Sequence, residues 1–121
     1  MDTFKVIIAG GRHFSDYQFL KETCDKLLDE LDETIEIVSG TARGADKLGE
    51  KYAREKNYQI HRFVAQWDKF GKSAGYRRNA EMADFADMLI AFWDGESKGT
   101  SHMIDLANAK NLGVVVMKYD L

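Results

Sequence analysis

Short runs of apolar residues alternate along this sequence with longer segments in which apolar positions recur every three or four residues. The first run, residues 4–9, ends at two glycines and lacks the polar alternation of a half-exposed strand, so it predicts a buried strand. From Asp16 to Leu31 the apolar side chains follow helical spacing, with acidic residues on the other face. A buried strand followed by an amphipathic helix is the building unit of a parallel α/β sheet.

The same unit recurs to the end of the chain. The spacing predicts further strands at 35–39, 58–63, 87–92 and 112–118, and helices at about 45–56, 74–86 and 100–110. Short connections favour a sheet with helices on both faces, because right-handed crossovers place them there. We therefore predict an α/β, Rossmann-like fold with about five parallel strands in the order 3-2-1-4-5. In this order a ligand crevice lies between strands 1 and 4, outside their carboxyl ends.

The composition is that of an ordinary globular domain. Of the 121 residues, 45% are hydrophobic and 31% are charged, so we expect residues 1–121 to form a single domain. The longest apolar runs are far below the roughly 18 residues that a membrane helix needs. The acidic Asp2 does not fit a secretory signal. We therefore expect a cytoplasmic protein with no membrane partner.

The chain offers few residues for metal, disulfide or nucleophilic chemistry. Cys24 is the only cysteine, and it lies on the apolar face of the first predicted helix, where we expect a core residue. His13, His61 and His102 lie on separate segments without the spacing of metal ligands. We expect no metal site and no required cofactor.

Charge is distributed unevenly along the chain. The net charge is −3, which argues against an extended contact with nucleic-acid phosphates. Residues 16–36 hold eight acidic and two basic side chains, whereas residues 41–80 hold ten basic and four acidic ones. A small anion is therefore a better candidate partner than a nucleic-acid duplex.

Three glycine-containing loops follow strands 1, 2 and 4, which all end at the predicted crevice. Glycines let backbone amides approach an oxyanion closely, and a helix N-terminus adds unpaired donors. Each loop alone is compatible with an ordinary capped turn, but three such loops at one sheet edge predict a phosphate site. In the loop after strand 4, Asp94 could accept a hydrogen bond from a sugar hydroxyl. The candidate ligand-binding residues of these loops are Gly10, Gly11, Arg12, Ser39, Gly40, Thr41, Arg43, Gly44, Asp46, Asp94, Gly95, Ser97, Gly99 and Thr100.

Two familiar nucleotide-binding patterns are incomplete in this sequence. The segment Gly71–Ser73 resembles the end of a P-loop, but Gln66 stands where that pattern requires glycine. The loop after strand 1 lacks the later glycines of the dinucleotide fingerprint, which disfavours ordinary NAD-dependent hydride transfer. Trp67, Phe70 and Trp93 could stack on a base, although burial in the core is the interpretation we favour.

Four stretches, in order and spread over nearly the whole chain, resemble the YspA-like branch of the SLOG superfamily, which includes the lonely-guy cytokinin-activating proteins and the DNA-processing DprA proteins. The stretches are Gly10–Asp16, Ser39–Asp46, Gly71–Asn79, and Ala91–Gly95 with its continuation through Ser97, Gly99 and Thr100. The resemblance implies a Rossmann-like fold whose glycine loops bind a nucleotide or a nucleotide-derived ligand such as an ADP-ribose-type compound. It adds Lys72, Gly75, Arg78 and Asn79 to the candidate ligand-binding residues.

The residues of this sequence match the family's binding loops more completely than its catalytic residues. Lonely-guy enzymes cleave the N-glycosidic bond of nucleoside monophosphates with an arginine on the third helix, which Arg78 matches, and a glutamate three residues after a Gly-Thr pair. Met103 stands at the glutamate position and cannot transfer a proton, so Asp94 or Glu96 would have to replace it. We therefore expect a nucleotide-binding module that senses or sequesters its ligand. Phosphoribohydrolase activity is the first alternative and single-stranded DNA binding the second, and a homo-oligomer is compatible with the sequence.

Overall fold

The computed structural model describes residues 2–120, which form one parallel sheet flanked by helices. The strands are β1 (Thr3–Gly10), β2 (Thr34–Ser39), β3 (Gln59–Arg62), β4 (Met88–Trp93) and β5 (Gly113–Lys118). They pair in the order β3-β2-β1-β4-β5, as the sequence predicts. The helices are α1 (Tyr17–Leu28), α2 (Ala45–Lys56), α3 (Trp67–Phe70), α4 (Ala74–Phe85) and α5 (Lys98–Ala109). Among residues 2–120, no helix has the length and apolar character to cross a bilayer.

Each face of the sheet has its own apolar core. Val6 of β1 belongs to the cluster that α1 and α2 cover, with Leu20 among its helical members. The next residue, Ile7, belongs to the opposite cluster, which includes Met82 of α4 and Met103 of α5. Helices therefore lie on both faces, as predicted. Burial on both faces explains why the central strands have uninterrupted apolar sequences.

The two central strands approach each other closely at their carboxyl ends. Gly10 of β1 lies in register with Phe92 of β4. A Cβ atom on Gly10 would lie only 2.2 Å from the Phe92 carbonyl oxygen, so no other residue fits there without a backbone shift. Beyond these residues β1 leads to α1 on one face and β4 leads to α5 on the other. This divergence opens the crevice that the strand order predicts.

The segment between β3 and α4 differs from the sequence-based expectation. Trp67–Phe70 forms the short helix α3, and Gly71–Ser73 continues as a 3-10 turn into α4. Four residues are too few to show helical periodicity, so the sequence pattern does not predict α3. Trp67 is 50% exposed and Phe70 is only partly buried, so neither has the core position that we favoured. Cys24, in contrast, is fully buried in α1.

Candidate functional site

A cleft of about 350 Å³ lies at the carboxyl edge of the sheet, where β1 and β4 diverge. The β1–α1 loop, the first turn of α2, one side of α4 and the first turn of α5 form its walls. Its polar and charged lining residues are Arg12, His13, Asp46, Arg78, Asn79, Asp94, Ser97, Thr100 and Tyr119. The volume is near the lower end of the range for small-molecule sites, about 300 to 1,000 Å³.

Arg78 of α4 provides a half-buried positive charge in this cleft. Its Nη1 atom donates to the Gly40 carbonyl oxygen, and its Nε atom donates to Asn79 Oδ1 over 3.0 Å. Burial lowers the pKa of Arg78, while the nearby Asp46 carboxylate raises it. An arginine side chain remains charged under such a change, because its ordinary pKa is above 12. The two hydrogen bonds fix the guanidinium at the cleft wall.

Asp46, in the first turn of α2, lies on the cleft wall beside Arg78 and is only 5% exposed. Its Oδ2 atom accepts a hydrogen bond of 3.1 Å from the Ala42 amide. Burial raises the pKa of Asp46 to about 6, although this hydrogen bond and the charges of Arg78 and Arg12 lower it. A carboxyl group with this pKa changes its protonation state close to neutral pH.

Three backbone amides in and just after the loop that joins β2 to α2 already donate to acceptors within the protein. The Thr41 amide donates to Ser39 Oγ over 3.0 Å, and the Ala42 amide is bonded to Asp46. The Ala45 amide donates to the Gly11 carbonyl oxygen over 3.2 Å. These three amides are therefore not open to a phosphate. Arg43 is exposed and does not line the cleft.

Ser39 is part of a buried polar network beside this loop. Its hydroxyl donates to Glu50 over 2.6 Å, and Glu50, which is 2% exposed, also accepts from Arg62 Nε over 3.0 Å. The network joins β2, α2 and β3, which are the elements carrying these three residues. Ser39 therefore holds α2 on the sheet and does not face the cleft.

The first turn of α5 provides open amides on the opposite wall. Ser97 is the N-cap and its hydroxyl accepts from the Thr100 amide, while Asp94 Oδ1 accepts from the amides of Glu96 and Ser97 over 2.9 and 2.8 Å. These bonds, chiefly the one from Ser97, lower the pKa of Asp94. Within residues 2–120 the amides of Lys98 and Gly99 have no such acceptor, as the geometry of a helix start dictates.

Tyr119, which sequence reasoning missed, lines the cleft just beyond β5. Within the described part of the chain its hydroxyl is buried and has no hydrogen-bond partner. It lies over Gly11, where a Cβ atom would be 2.1 Å from the hydroxyl oxygen. Tyr119 follows the carboxyl end of a predicted parallel strand, and this position was the one feature of the sequence that could have indicated a place in the cleft.

The structure brings most of the predicted site residues together but not all. Those that line the cleft are Gly10, Gly11, Arg12, Asp46, Arg78, Asn79, Asp94, Ser97, Gly99 and Thr100. Gly40, Thr41 and Arg43 line a second pocket next to it. Those that line neither space are Ser39, Gly44, Lys72, Gly75, Gly95 and Glu96.

Comparisons with known proteins agree with this architecture. Residues 4–70 match the model of a family described as the YspA, cpYpsA-related SLOG family. The chain is 34% identical to the gene 61 protein of Mycobacterium phage D29, over 95% of each sequence. The DNA processing protein A (DprA) of Streptococcus pneumoniae has a similar fold, with a TM-score of 0.76 at 15% identity. That alignment covers 99% of this chain but only 52% of DprA, so the chain spans about half the length of that protein.

Proposed function

This chain belongs to the YspA, cpYpsA-related SLOG family, and we propose that it binds a nucleotide or nucleotide-derived ligand in the cleft between β1 and β4. One observation carries the proposal. The guanidinium of Arg78 and the first turn of α5 face the same cleft from different sides. A guanidinium and an open helix N-terminus are both groups that bind phosphate in proteins.

The phosphate contacts account for only part of a useful affinity. A helix terminus contributes about 0.3 to 1 kcal/mol to a bound anion, and a charge-assisted hydrogen bond about 1.5 to 3 kcal/mol. Micromolar binding requires about 8 kcal/mol after the costs of association. The ligand must therefore make further contacts through its sugar or base.

Asp46 and Tyr119 favour a sugar phosphate over inorganic phosphate. Asp46 places a carboxyl group in a cleft that also holds Arg12 and Arg78, and its oxygen can accept a hydrogen bond from a ribose hydroxyl whether or not the group is protonated. The unpaired Tyr119 hydroxyl can donate to a phosphate or a ribose oxygen. A buried polar group without a partner costs stability, and a bound ligand would supply the missing partner.

Isothermal titration calorimetry with AMP tests the proposal. We expect AMP to bind the unaltered protein and Arg78→Ala to weaken binding by about tenfold or more, since a charge-assisted hydrogen bond is lost. Arg77→Ala is the matched control, because Arg77 is the preceding residue of α4, is exposed and contacts the Phe70 ring. Equal affinities for the two variants would contradict the role given to Arg78.

A second candidate function is hydrolysis of the N-glycosidic bond, and the position of Asp46 favours it. Water would attack C1′ of the nucleotide and the bond between C1′ and the base nitrogen would break. The water would lose a proton and the departing base would gain one, which gives ribose 5-phosphate and the free base. Asp94 is held by two backbone amides, and Glu96 does not line the cleft. Asp46 has a pKa of about 6 and lies beside Arg78, so it is the better acid or base of the three carboxyl groups.

Chromatography of the products distinguishes turnover from binding alone. If the chain is a hydrolase, free adenine should accumulate from AMP and Asp46→Asn should stop its release, while Glu96→Gln should not affect it. If AMP binds but no base is released, the chain is a binding module.

A further inference from the structure

The strand β3 lies at one edge of the sheet and, among the described strands, pairs only with β2. Residues 57–64 contain no lysine and no proline, the residues with which proteins commonly protect such an edge. The side chains of Arg62 and His61 turn back to neighbouring elements, where they bond Glu50 over 3.0 Å and Glu36 over 2.7 Å. The outer edge of β3 is therefore open to a further strand.

The amino end of β3 lies beside an acidic pocket of about 390 Å³, the amino-end pocket. Asp29, Glu33 and Glu36 line it, and its described lining includes no basic residue. Asp29 and Glu36 have ion-pair partners within the chain, whereas Glu33 has none among residues 2–120. Leu31, which is 37% exposed, adds an apolar surface. This end of the strand thus combines negative charge with exposed apolar area.

The carboxyl end of β3 has the opposite charge. It continues through Val64 into the wall of the second pocket, whose described lining includes three arginines and no carboxyl group. Val64 is 67% exposed, the largest fraction among the large hydrophobic residues of the described chain, and Trp67 is 50% exposed. Exposed apolar side chains beside guanidinium groups form a surface that fits an acidic partner with apolar groups of its own.

We propose that β3 pairs in antiparallel fashion with β3 of a second copy of this chain, which joins the two sheets into one. Antiparallel pairing places the amino end of each β3 beside the carboxyl end of the other. If the pairing is centred on His61, Tyr58 of one copy lies opposite Val64 of the other, because both are three positions from the centre.

The same contact is then made twice. Each acidic amino-end pocket adjoins the arginines and Val64 of the other copy. One chain therefore carries both halves of the contact, which is the property of a closed two-fold interface. This self-complementarity favours a second copy over an unrelated strand as the occupant of the edge.

Sedimentation equilibrium over about 1 to 100 μM protein measures the association. We expect the unaltered protein to reach twice the mass of one chain. Val64→Asp should raise the dissociation constant of the dimer by about tenfold or more, because it removes an apolar contact and places a carboxylate beside an acidic pocket. Val64→Leu should keep the constant within about threefold of the parent. Val116→Asp is the matched control, because Val116 is 37% exposed on β5, at the other edge of the sheet.

Charge reversal tests the two ends of the strand. Arg43 is exposed, lines the second pocket and has no ion pair among residues 2–120. Glu33→Arg and Arg43→Glu should each weaken the dimer by up to about fivefold, the size of an exposed ion pair. The double variant exchanges the charges of the two ends and should recover most of the affinity. Failure to recover would contradict the charge pairing.

Hydrogen exchange measured by mass spectrometry reports on the strand directly, and circular dichroism shows whether each variant is folded. The amides of residues 59–64 should exchange more slowly at high protein concentration, and those of residues 113–118 should not change. A monomer over the whole concentration range would refute the inference. If Val116→Asp dissociates the dimer and Val64→Asp does not, the β5 edge is the interface and the inference is wrong. Growth beyond a dimer would contradict the closed two-fold arrangement.

Discussion

The Asp46 carboxylate and the Arg78 guanidinium converge on Gly40, the residue that follows β2. A Cβ atom on Gly40 would lie 2.8 Å from Asp46 Oδ2 and 3.0 Å from Arg78 Nη1. The absence of a side chain at this position therefore lets two opposite charges share one wall of the cleft. This pairing determines how the stability and the ligand affinity of the protein should respond to pH.

Asp46 should lower the stability of the folded chain at neutral pH. Its pKa is about 6 in the folded state and about 3.9 in an unfolded chain, so the folded state holds more protons between these values. Stability therefore falls as the pH rises from about 4 to about 6, by about 2 to 3 kcal/mol for this group. Asp46→Asn should raise the free energy of unfolding at pH 7 by up to this amount.

Urea denaturation of both proteins across about pH 4 to 8 measures this effect. The Asn side chain can still accept from the Ala42 amide, so the hydrogen bond need not be lost. The advantage of the variant should disappear near pH 4, where Asp46 is protonated in the folded state. The same difference at every pH would contradict the explanation.

The affinity for an anionic ligand should rise as the pH falls through about 6. Protonation of Asp46 removes a negative charge from the cleft and leaves Arg78 uncompensated. ADP-ribose is the suitable probe, because a pyrophosphate diester does not share the pKa near 6 of a phosphate monoester. We expect about tenfold tighter binding at pH 5 than at pH 8, a gain equal to about 1.4 kcal/mol. Calorimetry on Asp46→Asn should give a shallower profile than the parent protein, and an unchanged profile would exclude Asp46 as the titrating group.

Tyr119→Phe should affect stability and binding in opposite directions. The variant removes a buried hydroxyl that has no partner among residues 2–120, so the free protein should be as stable as the parent or slightly more stable. Binding of AMP should weaken by about tenfold if the hydroxyl donates to the ligand phosphate. Thermal unfolding with and without AMP measures both effects. Loss of stability together with unchanged binding would show that the Tyr119 hydroxyl bonds a group of the protein and not the ligand.

Two glycine substitutions should give contrasting results. Gly44 has a φ of +80°, and a Cβ atom there would lie 2.2 Å from the Gly11 carbonyl oxygen, so Gly44→Ala should destabilise the fold by about 2 to 4 kcal/mol. Gly99 lies in the first turn of α5, where an added Cβ atom would meet no described atom within 4 Å. Gly99→Ala should therefore be neutral or stabilise the fold by up to about 1 kcal/mol. Chemical denaturation of the two variants tests this comparison, and similar losses would contradict it.

The fold could be predicted from the sequence because its signals are local. Each element shows in the sequence which of its residues are buried, as in the apolar runs around Val6 and Ile90 and in the helical spacing after Asp16. The short connections between these elements then allow few arrangements in space. The exposure of Trp67 could not be predicted, because it depends on how the connection between β3 and α4 folds into α3 and a 3-10 turn.

The candidate site was harder to predict than the fold, because hydrogen-bond partners depend on how the loops fold and on which elements they meet. The sequence shows that the loop from Ser39 to Asp46 contains two glycines, but not that Asp46 bonds the Ala42 amide of the same loop. The α5 loop contains similar residues, and its Lys98 and Gly99 amides remain open within the described residues. Tyr119 reaches the cleft only because β5 lies next to β4.

The position of the ligand phosphate, between Arg78 and the first turn of α5, is the feature on which the proposed function depends. Amide NMR of isotopically labelled protein during a titration with AMP locates that phosphate. We expect the amides of Gly99 and Thr100 to shift most, together with that of Gly11, and these shifts to be lost in Arg78→Ala. If the largest shifts instead lie at the opposite edge of the sheet, around Leu31 and Asn57, with none at Gly99, the cleft is not the binding site.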